Sequence, residues 1–254
     1  MDMAQIKDIF FGKIGRILDI FFPRRCEVCG KVNPNGQYGF ICDECAKGIY
    51  LITGGRCLRC AEIIGPNSAP NATFCHKCLD KPPAFNWGYS CSVFDGAIRE
   101  LMHGLKYRNA YYLRSDIIRI MKAATPTKHF LENAILIPVP LHYSRKLKRK
   151  YNQAEVIAEC ARTAFPDANI TVLNALKRVR KTSTQTQLSR EERAENIKDA
   201  FAILGNSLRG IRKSTRIVIV DDVMTSGATI SECARTLKRA GYKNIAAFSF
   251  ARKL

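Results

Sequence analysis

The chain has 254 residues, is 46% hydrophobic and 25% charged, and carries 41 Lys and Arg against 22 Asp and Glu, a formal net charge of +19. That balance excludes a disordered or fibrous protein, and no apolar run reaches the ~20 residues that span a bilayer. It describes one or two globular domains, and the charge points to a polyanionic partner or substrate, with a solvated basic surface as the alternative.

Residues 1–25 place Ile6, Ile9, Phe10, Ile14, Ile17, Leu18 and Phe21 at helical spacing, interrupted by Asp8, Lys13, Arg16 and Asp19. The spacing predicts an amphipathic helix that packs on its own protein or a partner, with membrane-surface binding as the alternative. An uninterrupted apolar stretch and a small-residue cleavage site are both lacking, so a secretory signal is not expected.

Residues 26–86 form a cysteine-rich module. Eight of the eleven cysteines fall in four CxxC pairs: Cys26/Cys29, Cys42/Cys45, Cys57/Cys60 and Cys75/Cys78. A two-residue gap lets both thiolates of a knuckle face one ion, and four thiolates make a closed tetrahedral structural zinc site. Gly30, Asn33, Pro34, Asn35 and Gly36 supply turn chemistry between the first two knuckles. Two zinc ions are predicted, in sequence Cys26, Cys29, Cys42 and Cys45, then Cys57, Cys60, Cys75 and Cys78. A cross-braced pairing, a single zinc, or disulfides in an oxidising compartment are the alternatives. His76 reads as a bystander inside the fourth knuckle. Cys91, Cys160 and Cys233 read as buried, inert thiols. A closed four-cysteine site does no chemistry, so the module favours recognition over catalysis.

Residues 87–254 alternate strands and helices. Strands are predicted at Tyr89–Phe94, Ala134–Val139, Ile170–Leu173, Arg216–Val220 and Ile245–Phe250. Helices are predicted at Asp95–Leu105, with Asp95 as cap, at Tyr111–Ala123 ending near Pro126, and at Asn152–Phe165 and Ile230–Ala240. The order implies an α/β fold, a parallel sheet covered on both faces, with ligands at the carboxyl ends of its strands. Two loops leave such ends. Pro138 to Ala154, PVPLHYSRKLKRKYNQA, is dense in cations. The other follows Ile217–Val220, where Asp221 and Asp222 precede a turn of Thr225, Ser226, Gly227, Ala228 and Thr229, and then a helix. Backbone amides of such a turn and helix N-terminus suit a phosphate, and paired carboxylates suit two neighbouring ribose hydroxyls. Basic residues also cluster at Lys177, Arg178, Arg180 and Lys181, and at Arg209, Arg212, Lys213 and Arg216. A polar, basic segment from Arg178 to Arg193 reads as a closing lid or a surface loop.

The stretch IVIVDDVMTSGAT, Ile217 to Thr229, resembles the loop of type I phosphoribosyltransferases that binds 5-phosphoribosyl-1-pyrophosphate (PRPP). PVPLH, the Arg-Lys run and YNQA, with Leu105-Lys106-Tyr107, Gln185, Leu188, Arg193, Asn196, Ala200 and Phe201, resemble the ComF family. That family joins an N-terminal cysteine-rich zinc module to a phosphoribosyltransferase-like domain. The resemblance implies that Asp221 and Asp222 hold the ribose hydroxyls and that Thr225 through Thr229 wrap the 5-phosphate. Arg145 and Arg149, with Lys106, are candidates for the pyrophosphate, and Mg²⁺ would accompany PRPP. Asp221, Asp222 and Arg149 are the candidate catalytic residues, acting by positioning and charge stabilisation. Two positions depart from the family pattern: Lys150 and Gln187 stand where glycine is common.

The resemblance further implies a link to natural competence, with single-stranded DNA and other competence or DNA-processing proteins as partners. It implies a cytoplasmic protein, held at the inner face of the membrane only through a partner. Whether it is an enzyme stays open. The alternative is a metabolic phosphoribosyltransferase acting on an unidentified base or amine with no DNA role. A glutamine amidotransferase is not supported, because Cys26 belongs to a knuckle.

Overall fold

The computed structural model describes residues 24–32, 36–64, 73–142, 150–180 and 195–254. The predicted N-terminal helix, the basic residues Arg145 to Arg149 and most of the proposed lid lie outside those residues, as do Gln185, Gln187, Leu188 and Arg193.

In chain order, short helices α1 (Asp43–Ala46) and α2 (His76–Asp80) belong to the cysteine-rich stretch. Then come β1 (Trp87–Val93), α3 (Gly96–Tyr107), α4 (Arg114–Ala123), α5 (Pro126–Leu131), β2 (Ile135–Pro138) and α6 (Gln153–Ala164). They are followed by β3 (Thr171–Val172), β4 (Leu176–Arg178), β5 (Phe201–Ile203), β6 (Ile217–Met224), α7 (Ala228–Arg239) and β7 (Ile245–Arg252). Five strands form a sheet of order β1-β7-β6-β2-β3, with every pairing parallel; β4 and β5 pair antiparallel beside it.

The β-branched strands bury both faces, so successive residues feed two different cores. Val218, Val220, Leu136 and Phe248 join Leu101, Ile117, Ile120 and Ile157 from α3, α4 and α6. Ile217, Ile219, Ile137 and Ala247 join Ile230, Cys233, Ala234 and Leu237, two turns of one face of α7. Cys91, Cys160 and Cys233 are buried in these layers, and burial pushes the Cys91 and Cys160 thiols up to about 12. All three are buried, as predicted.

Three local expectations change. The acid pair lies inside β6, which runs on to Met224 because β7 continues beside it, pairing Asp221 with Ser249 and Met224 with Arg252. The helix before Pro126 ends at Ala123, as expected, but Pro126 also starts α5, where its missing N–H is no loss. Asp95 stands at the start of α3 without a capping bond from its side chain; Asn152 caps α6, accepting from Ala154 N at 3.2 Å.

The cysteine-rich stretch is stitched to the sheet. The buried carboxylate of Asp116 on α4 accepts from Gly39 N at 2.7 Å and Phe40 N at 2.8 Å. Residues Tyr50 to Ile52 run antiparallel along β1, with Ile52 N donating to Cys91 O and Val93 N to Tyr50 O. At Gly88 a Cβ would stand 2.3 Å from Arg59 O, so only glycine lets the third knuckle's backbone close on the start of β1. No described helix is long and apolar enough to cross a membrane.

Candidate functional site

The eight CxxC cysteines form two separate quartets, Cys26/Cys29/Cys42/Cys45 and Cys57/Cys60/Cys75/Cys78, each with its sulfurs within 4.8 Å of one another. Sulfurs on a tetrahedral zinc at ~2.3 Å stand about 3.8 Å apart. The Cys29–Cys42 and Cys60–Cys75 pairs stand at 3.7 and 3.6 Å. The geometry therefore fits two structural zinc sites with sequential pairing, not cross-bracing, and all eleven cysteines are free of disulfides. His76 turns away to Asp80, at 3.0 Å. These residues can hold metal but leave no open coordination position for catalysis.

The second site is a cavity of about 370 Å³ at the carboxyl end of the sheet. It gathers the motif of β6, the loop after β2 and the end of α3. The apolar run of β6 delivers Asp221 and Asp222 to its floor. Thr225, Ser226 and Gly227 turn the chain; Gly227 sits at φ +72, in the left-handed region that glycine tolerates, and starts α7. Ser226 Oγ accepts from Ala228 N at 3.4 Å. The turn and the N-terminus of α7 line the cavity, offering amides and a positive dipole end to an anion.

The two carboxylates differ. Asp222 is buried and its Oδ2 meets Lys106 Nζ at 2.8 Å, while its Oδ1 accepts from Val223 N. Asp221 is pushed up to about 7, first by burial and then by the negative charge of Asp222, against the lowering effect of Lys106. Neighbouring carboxylates in one cavity cannot both ionise cheaply without a cation. The structure thus brings Asp221, Asp222, Thr225 to Thr229 and Lys106 together. Arg145 and Arg149 lie outside the described residues.

YNQA has its own part. Asn152 Nδ2 donates to Val139 O at 3.0 Å while its Oδ1 caps α6, so one side chain fixes both ends of the β2–α6 connection. Tyr151 Oη and Gln153 Nε2 both donate to Leu105 O, at 2.8 and 3.2 Å, which pins the backbone next to Lys106. Lys150 adopts φ +64, which explains why glycine suits that position; a lysine there carries a strain of about 1 kcal/mol. Sequence reasoning missed Phe94 and His103, which line the cavity, and Arg252, whose buried guanidinium reaches the turn after β6. Phe94 was read only as a strand end. Arg252 carries no local signal in the sequence.

Two family models match the chain: a double zinc ribbon domain over residues 17–83 and a phosphoribosyl transferase domain over residues 137–254. The chain is 30% identical to DNA utilization protein YhgH of Salmonella typhi, over 91% of this chain and 98% of that one. It is 26% identical to competence protein F of Haemophilus influenzae, covering 85% and 98%. It is 27% identical to competence protein ComFC of Bacillus subtilis, covering 79% of each. A solved purine phosphoribosyltransferase from Pyrococcus horikoshii Ot3 overlays at TM-score 0.30 with 13% identity, over 57% of this chain and 85% of that one, and carries no weight here.

Proposed function

Because the chain belongs to the ComF family, with a double zinc ribbon ahead of a phosphoribosyltransferase domain, we propose that it binds PRPP with Mg²⁺ and serves the handling of incoming single-stranded DNA. The observation that carries the ligand is the convergence of the acid pair, the phosphate turn, the α7 N-terminus and Lys106 on one cavity. Asp221 and Asp222 accept hydrogen bonds from the ribose hydroxyls. The Thr225–Thr229 turn holds the 5-phosphate. Lys106, a point charge at the acid pair, lies where it can turn to the pyrophosphate once the ligand displaces it. Beside Asp221 and Asp222, Mg²⁺ arriving with the ligand would supply charge neutralisation at the leaving group. Any transfer then proceeds by positioning and electrostatic stabilisation, without a protein nucleophile.

The DNA partner is supported by what the relatives are named for, competence and DNA utilization, and by the surface. Tyr107, Tyr111 and Tyr112 are exposed within six residues of one another, Arg114 lies over the Tyr111 ring, and the chain carries +19. Exposed aromatic faces beside arginines favour unpaired bases over a duplex. A cytoplasmic location follows from the same reading.

A second reading, transfer to a base or amine with no DNA role, is favoured by the aromatic wall of Phe94, His103 and Tyr107 beside the acid pair. Calorimetry with Mg-PRPP on the wild type and an Asp221→Asn, Asp222→Asn protein tests the site. Severe loss in the variant is expected; equal affinity refutes it. Pyrophosphate release with base, amine or DNA acceptors then separates the two readings.

A further inference from the structure

The turn between β6 and α7 is held from outside its own strand and helix. Arg252, the last residue of β7, is buried, and its Nη1 donates to Met224 O at 3.3 Å and to Thr225 O. These are the carbonyls that lead into the phosphate turn. Its Nη2 meets Glu62 Oε2 at 3.1 Å. Glu62 follows Cys60 by two residues, and its other oxygen takes Lys77 Nζ at 2.6 Å; Lys77 lies between Cys75 and Cys78. The backbone of Glu62 is tied in as well, its carbonyl accepting from Cys57 N at 2.8 Å. Both knuckles of the second quartet therefore fix the position of one carboxylate.

A second contact runs parallel to the first. Just after the fourth knuckle, Ala84 N donates to Ser231 Oγ on α7 at 2.9 Å. The next residue, Phe85, is buried and lies 3.8 Å from where a Cβ on Gly227 would stand.

A buried guanidinium needs a counter-charge, and among the described residues the carboxylate paired with Arg252 is Glu62. Without it the arginine is an uncompensated charge that turns toward water and gives up its bond to Thr225 O, while Met224 O keeps its bond from Lys253 N at 3.0 Å. We propose that Arg252 is a positioning residue for the phosphate turn and that the second zinc ribbon, through Glu62, sets the shape of that turn. The ribbon is then a structural part of the ligand site rather than a separate appendage. The inference rests on the PRPP reading for its ligand, but not for its contacts.

Glu62→Gln keeps the side chain's length and removes its charge. Losing one charge-assisted bond should weaken Mg-PRPP about tenfold by calorimetry. In the ligand-free protein the amides of residues 225–228 should exchange with deuterium faster, while metal analysis still finds two zinc per chain. Arg252→Lys, outside the ribbon, should act in the same direction; it replaces Glu62→Gln in the comparison if that variant loses zinc. Unchanged affinity and unchanged exchange in both variants overturn the proposal. If the wild type does not bind PRPP, the functional reading fails, and amide exchange alone decides the relay: faster exchange upholds it and equal exchange sinks it.

Discussion

The acid pair makes a prediction about pH. Burial and the neighbouring Asp222 push Asp221 up to about 7, so its ionised share climbs from about a tenth at pH 6 to about nine tenths at pH 8. On the proposed PRPP reading, the ionised form offers both carboxylate oxygens to the ribose hydroxyls, whereas protonation turns one of them into a donor. Mg-PRPP affinity should therefore rise about tenfold across that range, ~1.4 kcal/mol. Calorimetry at fixed Mg²⁺ from pH 6 to 8.5 measures it. Asp221→Asn is the control: it removes the protein's share and leaves the titration of the ligand's own phosphates. Lys106→Met removes the charge that lowers Asp221 and should move the rise to higher pH. Stability should move the other way. Asp221 has a folded pKa above its ordinary 3.8, so its contribution to stability is complete below 3.8 and is lost as pH rises through about 7. A melting temperature that falls while affinity rises is the combined signature. Identical pH profiles for the wild type and Asp221→Asn would refute the reasoning.

Three further outcomes are expected. Metal analysis should find two zinc per chain, and Cys57→Ser should remove one of them; zero zinc in the wild type would return the cysteines to free thiols. Asp116→Asn keeps one acceptor for two backbone donors and should lower stability by about 1–3 kcal/mol in urea unfolding, an unchanged midpoint arguing against this buried anchor. Tyr111→Ala with Tyr112→Ala should weaken oligo-dT binding by about 1–3 kcal/mol per lost stack and leave the salt slope as it was, because stacking releases no counterions. A changed slope with unchanged affinity at low salt would mean that these rings are not the platform.

What the sequence disclosed depended on how local the signal was. The CxxC knuckles and the alternation of β-branched strands with helices are short-range patterns, and both are as predicted. How the knuckles pair is a tertiary fact: spacing favoured the sequential sets as the simplest and left cross-bracing as an alternative. The acid pair was found but placed after its strand instead of within it, because the length of β6 is decided by β7. Lys106 was legible only through resemblance. Arg252 and Glu62 are separated by 190 positions and Asp116 and Gly39 by 77, and no periodicity marks either pair. The role of Tyr151, Asn152 and Gln153 was hidden for a similar reason: their partners are backbone carbonyls, which every residue has.

The antiparallel run of Tyr50 to Ile52 against β1 bears on how this chain can be made. A parallel sheet ends in open strands, and a bare edge is a template for joining another molecule. Here the piece that covers one edge precedes that edge in the chain. It leaves the ribosome first, so β1 emerges to find its neighbour already present. Cutting the chain ahead of β1 would not yield a smaller well-behaved domain. It would yield one with an adhesive flank, prone to assemble on itself. Expression trials on truncated relatives should therefore be planned around solubility before activity.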